Sequence, residues 1–424
     1  MSKASEPRFV TTVIDADPRD GYWVQAVDVD GDGRLDLVAS GLTNGEVVWY
    51  QNPGWQRRTI ATLQKPVALE AADLTGDGRP DLVVCHDYGN CMFNCGPNDG
   101  KISWLRNPTA DGLDGQWSRH FIADLLAAHR IRIGRFTTDE HLQLAALPVV
   151  GPQGGPAGVS APVRVMVYDR PDDLHGDTSW TGKEVDSASL RTIHGVIVGR
   201  FPVESADGRD SMLLASAEGI SWLACDDAGI WRQHRIGAGV PPRRSREFPD
   251  HEFGGSGNLA AGTIAGRPYA VIIAAEPFHG DTLAAYLRPP GELTLTTEWQ
   301  RRELEVFPSP DGKHDAVAHH VVAADFDGDG DDEFLVALRG PAPAQGVLYL
   351  KLDASGEVLV RDLVTDGSAA RIAVADFTGD GRLDFVTTSY DTVGYYEVEE
   401  PRIELHRNVF GAPSATPAPP GGDG

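Results

Sequence analysis

The feature that most constrains this chain is a recurring frame of apolar strand, acidic turn and apolar strand. Four copies are explicit: VQAVDVDGDGRLDLVAS, LEAADLTGDGRPDLVVC, HVVAADFDGDGDDEFLVA and RIAVADFTGDGRLDFVTT. Three more keep the frame without the acids: RIRIGRFTTDEHLQLAAL, GVIVGRFPVESADGRDSMLLAS and LAAGTIAGRPYAVIIAA. An Asp/Gly turn between two apolar runs reads as a hairpin, because glycine accepts the positive φ of a tight turn and aspartate bonds its own backbone. A single hairpin cannot bury its apolar faces, so the copies must pack against one another.

With the first turn position as anchor, the copies fall at Asp28, Asp73, Arg135, Arg200, Thr263, Asp325 and Asp376, spaced by 45, 62, 65, 63, 62 and 51 residues. Each spacing holds one four-stranded blade. Third strands follow the hairpins (VVWYQNP, ISWLRNP, RVMVYDRP, ISWLACDD, GVLYLKLD), and fourth strands often follow those (WQRRTI, WSRHFI, WRQHRI, WQRREL). Their aromatics read as packing between blades. The sequence therefore predicts an all-β, seven-bladed β-propeller with Asp-rich calcium-type hairpin loops. RFVTTVID resembles a fourth strand without its own first three, and is expected to close the ring against blade seven. Residues 1–7 are expected to be flexible, 8–410 to form the propeller, and the Pro/Gly-rich 411–424 to be disordered.

Composition bounds the partners. A net charge of −25 repels phosphate backbones, so nucleic acid and anionic membrane surfaces are not expected partners. No run has the length of a signal peptide core or a membrane span, which predicts a soluble, cytoplasmic protein. Four cysteines are too few for a disulfide scaffold, and reduced thiols are expected. Cys91 and Cys95, near Cys85 and His86, stay open between a structural zinc site and incidental thiols.

The acidic loops read as sites for a hard cation, calcium or magnesium, with a structural role. Asp28, Asp30, Asp32 and Asp36 place carboxylates at loop positions one, three, five and nine; Asp325, Asp327, Asp329 and Glu333 do so with Glu last. Asp73, Asp77 and Asp81, and likewise Asp376, Asp380 and Asp384, have Thr at position three and read as weaker loops. The alternative is that these are metal-free hairpin turns.

Six residues before each anchor lies the start of an innermost strand, and in blades three, four and six that residue is His129, His194 and His319. Residues at one register of the inner strands converge near a propeller's axis. Three imidazoles there could share a zinc ion with an open fourth position, the layout that polarises a carbonyl or activates water. Channel-lining histidines bonded to water are the alternative. Strand polarity puts the loops after the second strands on the same face, bringing His86, Asp87, Tyr88, Glu276 and His279 within reach. His314, in KHDAVAHH, just precedes an inner strand.

The segments DGYWVQA, PVALEAAD, GKISWLRNP, HRIRIGRFTTDEHLQLAALPVV, AAEPFHGDT and EWQRRELEVFPSPDGKHDAVAHHVVAADFDGDGDDEFLVA span most of the chain from Asp20 to about residue 390. At these residues the sequence resembles the propeller domain of the aldos-2-ulose dehydratase/isomerase (1,5-anhydro-D-fructose dehydratase) family. That resemblance implies a zinc-dependent hydro-lyase that eliminates water from a small keto sugar to give an enone, with zinc at the bottom of a cleft. Tyr88, His129, His194, Glu276, His279, His314 and His319 fall in the matching segments. The family carries His where this chain has Glu70, lacks the Cys91/Cys95 pair, and adds cupin and lectin-like domains, so a following isomerisation stays open. On this reading zinc rests on His129, His194 and His319, while Glu276 and His279 serve as base and acid with Tyr88 and His314 in support. Two rivals stand beside it: a non-catalytic, calcium-stabilised propeller binding carbohydrate or protein, and a lyase acting on a 3-keto glycoside or oligosaccharide.

Overall fold

The computed structural model describes residues 6–411 except 90, 109–111, 175–179, 186–189, 202–207, 292, 295, 310–311, 314, 341, 391–397 and 399. Seven antiparallel four-stranded sheets follow one another around a ring, with each first strand beside that of the next sheet. The inner strands are Trp23–Val27, Ala68–Ala72, Ala128–Gly134, Gly195–Gly199, Asn258–Ile264, Ala318–Ala324 and Arg371–Ala375. The chain is a seven-bladed β-propeller. The tail at 412–424 and His314 lie outside the described residues.

Burial follows position in the blade. The second strands Asp36–Ser40, Asp81–His86, Gln143–Pro148 and Glu333–Arg339 are buried at every residue. Each is covered on both faces by neighbouring blades, which explains their near-continuous apolar runs. Outer strands such as Ser118–Asp124 alternate toward solvent.

The seventh blade takes its outermost strand from the other end of the chain. Phe9–Asp15 pairs antiparallel with Ile403–Asn408, Phe9 opposite Asn408. The Phe9 ring packs edge-on against Phe385 at 4.9 Å and Phe410 at 5.9 Å.

The acidic turns are braced from within. Asp28 accepts the amides of Gly31 and Gly33 at 2.9 and 3.0 Å, and Asp73, Asp325 and Asp376 repeat that pattern. Gly31 and Gly33 have φ of 74° and 86°, which side chains with a Cβ adopt at a cost. Acids at the ninth position also brace the turn and the neighbouring strand. Asp36 accepts Val29 N and Asn52 N, Asp81 accepts Leu74 N and Asn107 N, and Asp384 accepts Phe377 N and Asn408 N, at 2.8–3.2 Å. The same asparagines bridge blades: Asn52 Nδ2 donates to Phe377 O, Asn107 Nδ2 to Val29 O and Asn408 Nδ2 to Phe326 O. In the third blade, whose turn lacks these acids, Gln143 Oε1 accepts Phe136 N at 3.0 Å, so the bracing survives without a charge.

Three insertions gather on the face opposite the acidic turns. They are the segment after the blade-two hairpin around Cys91, the short helix Gly155–Val159, and a two-stranded hairpin, Val240–Arg244 with Glu252–Gly255, before blade five. Cys91, Val149, Val159, Phe248, Phe253 and Phe278 form their shared apolar core. The expectation of reduced thiols throughout is corrected here. Cys91 and Cys95 are joined in a disulfide, their Cα atoms 4.1 Å apart across a tight turn, whereas Cys85 and Cys225 are buried free thiols. Among the described residues, no helix is long and apolar enough to cross a membrane.

Candidate metal centre under the cap

The channel narrows beneath this cap to a cluster of imidazoles. His129, His194 and His319 open three inner strands, and their side chains meet at the axis, His194 lying 5.1 Å from His129 and 5.4 Å from His319 between ring centroids. Blade five has Gly257 at this register, and that glycine decides the geometry. A Cβ at Gly257 would lie 1.1 Å from the carbonyl oxygen of Phe278. Its absence lets the loop after Arg267–Glu276 fold over the inner strand and deliver His279 into the ring. Phe278 stacks on His279 at 4.0 Å and Phe253 of the cap stacks on Phe278 at 4.8 Å, which fixes the imidazole from above.

The trio at metal-holding distance is therefore His194, His279 and His319, whose ring nitrogens lie within 4.8 Å of one another. His279, expected as an acid or base, takes the place expected for His129. The Nε2 of His129 faces Tyr22 Oη at 3.1 Å and the Arg130 guanidinium at 3.2 Å instead.

Electrostatics favour neutral rings. Burial, followed by the nearby guanidiniums, holds all four imidazoles well below their ordinary titration range; Arg130 is the next cause for His129 and His194, and Arg339 for His279 and His319. A neutral imidazole offers the lone pair a metal needs. Two observations fit zinc. Among the described residues the buried Nε2 of His319 has no hydrogen-bond partner, and His194 Nε2 lies 2.9 Å from His279 Nε2, a spacing two nitrogens around one ion would share. The second nitrogens of two rings are oriented by main-chain oxygens, His319 Nδ1 by Ala370 O and His194 Nδ1 by Gly257 O at 3.3 Å, the outer support typical of metal-bound histidine. Arg130 NH2 donates to His194 Nε2 at 2.8 Å, so that lone pair would have to turn from guanidinium to ion on loading.

The other expected residues are dispersed. Glu276, expected as the base, is fully buried and committed within blade five. It pairs with Arg301 at 2.6 Å and accepts Ser256 Oγ and Tyr286 Oη, so both its oxygens are taken. Tyr88 packs beside His129 at 5.4 Å. His86 is turned into blade two toward Ser103 Oγ, and Asp87 pairs with Lys101. Sequence reasoning missed Arg130, Arg339 and Tyr390, which lie against the rings. The available signal was an arginine immediately after His129 and another closing the apolar strand EFLVALR.

Of the acidic turns, Asp28, Asp30 and Asp32 bring oxygens within 4.8 Å of one another, as do Asp325, Asp327 and Glu333. In the latter the cation is built in: Lys351 Nζ donates to Asp327 at 2.7 Å, Asp329 at 2.6 Å and Glu333 at 2.8 Å. In the weaker loops, Arg79 and Arg382 fold back on Asp77 and Asp380. Lys351→Met is expected to cost about 2–3 kcal/mol, less than a fully buried pair because Asp329 is half exposed. Millimolar calcium should then raise the variant's melting temperature more than the wild type's; equal calcium responses would refute the built-in cation.

Residues 28–84 match the model of an FG-GAP-like repeat, and residues 99–289 that of the aldos-2-ulose dehydratase β-propeller domain. Over 96% of its length the chain is 32% identical to the aldos-2-ulose dehydratase of Phanerodontia chrysosporium. The similarity is to that protein's propeller-containing part. The chain spans about half of that relative, 46% of its length. Solved structures share the fold alone: BBS1N, crystallised in complex with ARL6DN, aligns over 94% of this chain and 97% of its own with a TM-score of 0.55 at 13% identity. Sqt1 of Saccharomyces cerevisiae aligns over 96% and 100% with a TM-score of 0.51 at 10% identity.

Proposed function

We propose that this propeller is a hydro-lyase that eliminates water from a small keto sugar, such as 1,5-anhydro-D-fructose or an aldos-2-ulose, with zinc held by His194, His279 and His319. The observation that carries this reading is the convergence of three neutral, buried imidazoles at metal spacing in a chain similar to a dehydratase. When bound, zinc would polarise the ketone and stabilise negative charge on its oxygen. The protein's own groups supply the rest. His129, neutral and one ring away from His194, would take the α-proton at Nε2, and the Tyr22 hydroxyl on that nitrogen would hand a proton on to the departing β-hydroxyl, which leaves as water. Tyr88 and Tyr390 flank the rings, and the cap excludes water that would compete for the departing hydroxyl.

The first acidic loop, Asp28, Asp30 and Asp32, is the place for a structural calcium or magnesium ion. The purified protein should contain one zinc per chain by elemental analysis and convert keto sugars to enones, followed by ultraviolet absorbance. Zinc-free protein with no enone from any keto sugar tested would sink the reading.

A further inference from the structure

The cap over the histidine cluster is held together from one short loop. Cys91 and Cys95 are 4 residues apart in sequence, so their disulfide closes a very small ring and restrains little of the unfolded chain. Its effect is local: it fixes the shape of the loop from Cys91 to Cys95, and both other insertions hang on that shape. Gly155 N, at the start of the short helix, donates to Cys91 O at 2.8 Å. Gly154 and Gly155 have φ of 61° and 57°, and Cys95 fills the space beside them, its Cβ 2.3 Å from where a Cβ on Gly154 would stand. From the hairpin, His251 Nε2 donates to Met92 O at 2.7 Å, and the Phe93 ring lies 5.5 Å from Phe248 and 5.4 Å from His251.

From this loop the contacts run inward to the histidines. Phe248 meets Phe253 at 6.3 Å, Phe253 stacks on Phe278, and Phe278 stacks on His279. On the other side Tyr88, three residues before Cys91, packs beside His129. The loop also faces outward: Cys91 is fully buried, but Cys95 is half-buried and Phe93 is 42% exposed, so a reagent in solution meets the disulfide at Cys95. Cys85 and Cys225 are buried free thiols, which leaves this disulfide as the one bond a reductant can act on.

We propose that Cys91 and Cys95 form a thiol–disulfide exchange site that takes a dithiol, and that its redox state sets whether the cap stays closed over the histidine cluster. A thiolate of the dithiol attacks Cys95 Sγ, the disulfide bond breaks, and Cys91 leaves as a thiolate that takes up a proton. The second thiol of the dithiol then displaces Cys95, giving two protein thiols and one oxidised dithiol, with two electrons and two protons transferred. In the reduced loop the carbonyls of Cys91 and Met92 lose their fixed spacing, and the helix and the hairpin lose their common anchor. The gate stands on these contacts alone; its effect on keto-sugar turnover rests on the dehydratase reading.

Hydrogen exchange of the full chain, followed by mass spectrometry with and without dithiothreitol, tests the gate. Amides of 150–160 and 240–256 should exchange about tenfold or more faster in the reduced protein, while the second strands of the blades keep their protection. A Cys91→Ser/Cys95→Ser variant should match the reduced protein whether or not dithiothreitol is present. Cap exchange equal within about twofold in the two states would overturn the gate. Faster exchange spread over all seven blades would overturn it too, by making the disulfide a staple of the whole fold. In zinc-loaded protein, EDTA should strip the metal about tenfold faster after reduction. Redox-dependent cap exchange in a protein that takes up no zinc would uphold the gate while removing the zinc dehydratase reading.

Discussion

His319→Ala is expected to abolish zinc binding and lower turnover of keto sugar on the order of 10³-fold, because a ligand on the far side of the trio is lost. His129→Ala is expected to keep one zinc per chain and lose activity through kcat, by roughly 10²–10⁴-fold, as removal of a positioned base does. The contrast between metal content and rate separates a ligand from a group that handles the proton. It follows from where the two nitrogens point: among the described residues His319 Nε2 has no hydrogen-bond partner, whereas His129 Nε2 is held by Tyr22 and Arg130. Loss of zinc in His129→Ala together with full zinc in His279→Ala would restore the three-histidine register read from the inner strands alone.

Acid should unfold the metal-stripped protein early. His129, His194, His279, His319 and His320 are held well below their ordinary range by burial, and His406 is pushed down to about 3. A group whose folded pKa is depressed stays neutral in the fold but takes a proton once the chain opens. The six histidines therefore contribute stability above about pH 6.5, lost as pH falls below that unfolded value. Raised carboxyls oppose them, foremost Asp36 at about 6 and Glu333 at about 7; these bind protons in the fold before the unfolded chain does and add stability as pH falls. Asp20, Glu70, Asp81, Asp332, Asp384 and Glu404 are raised as well, but the six histidines, all pushed far down, outweigh them between pH 6.5 and 5, with about 1.4 kcal/mol per pH unit for each net proton. Melting temperature should drop steeply from pH 6.5 to 5, and zinc should blunt the drop until its ligands protonate. A melting temperature that rises across this interval would show that the carboxyls dominate.

The ring was legible because a propeller repeats itself. Hairpins at Asp28, Asp73, Asp325 and Asp376 gave a frame strong enough to find the three copies without acids, and counting back from them placed His129, His194 and His319 together. What stayed hidden depends on contacts no repeat encodes. His279 enters the trio because Gly257 leaves room for the Phe278 loop, a relation between residues of one blade visible only when the strands are paired. Glu276 looked available from its position, yet its neighbours Tyr286 and Arg301 lie one and two strands away and claim it. Lys351 reaches the acidic turn of blade six from a third strand, so the turn's own sequence could not reveal the lysine on its carboxylates. The cap is made of insertions with no counterpart elsewhere in the repeat, so its aromatic core carried no periodic signal.

The closure of the seventh blade sets a schedule for biosynthesis. The strand Phe9–Asp15 leaves the ribosome well before its partner Ile403–Asn408, with all the other strands of the ring between them. At roughly 5–20 residues per second the first strand waits on the order of 20–80 s without its partner. During that interval six blades can assemble in order, each on the one before, while an unpaired strand bearing Val10 and Val13 on its surface stays available to any other open sheet edge. A second nascent copy on the same message offers such an edge, so the step most exposed to misassembly is ring closure, in which the first and last strands of one propeller must find each other rather than a neighbour's.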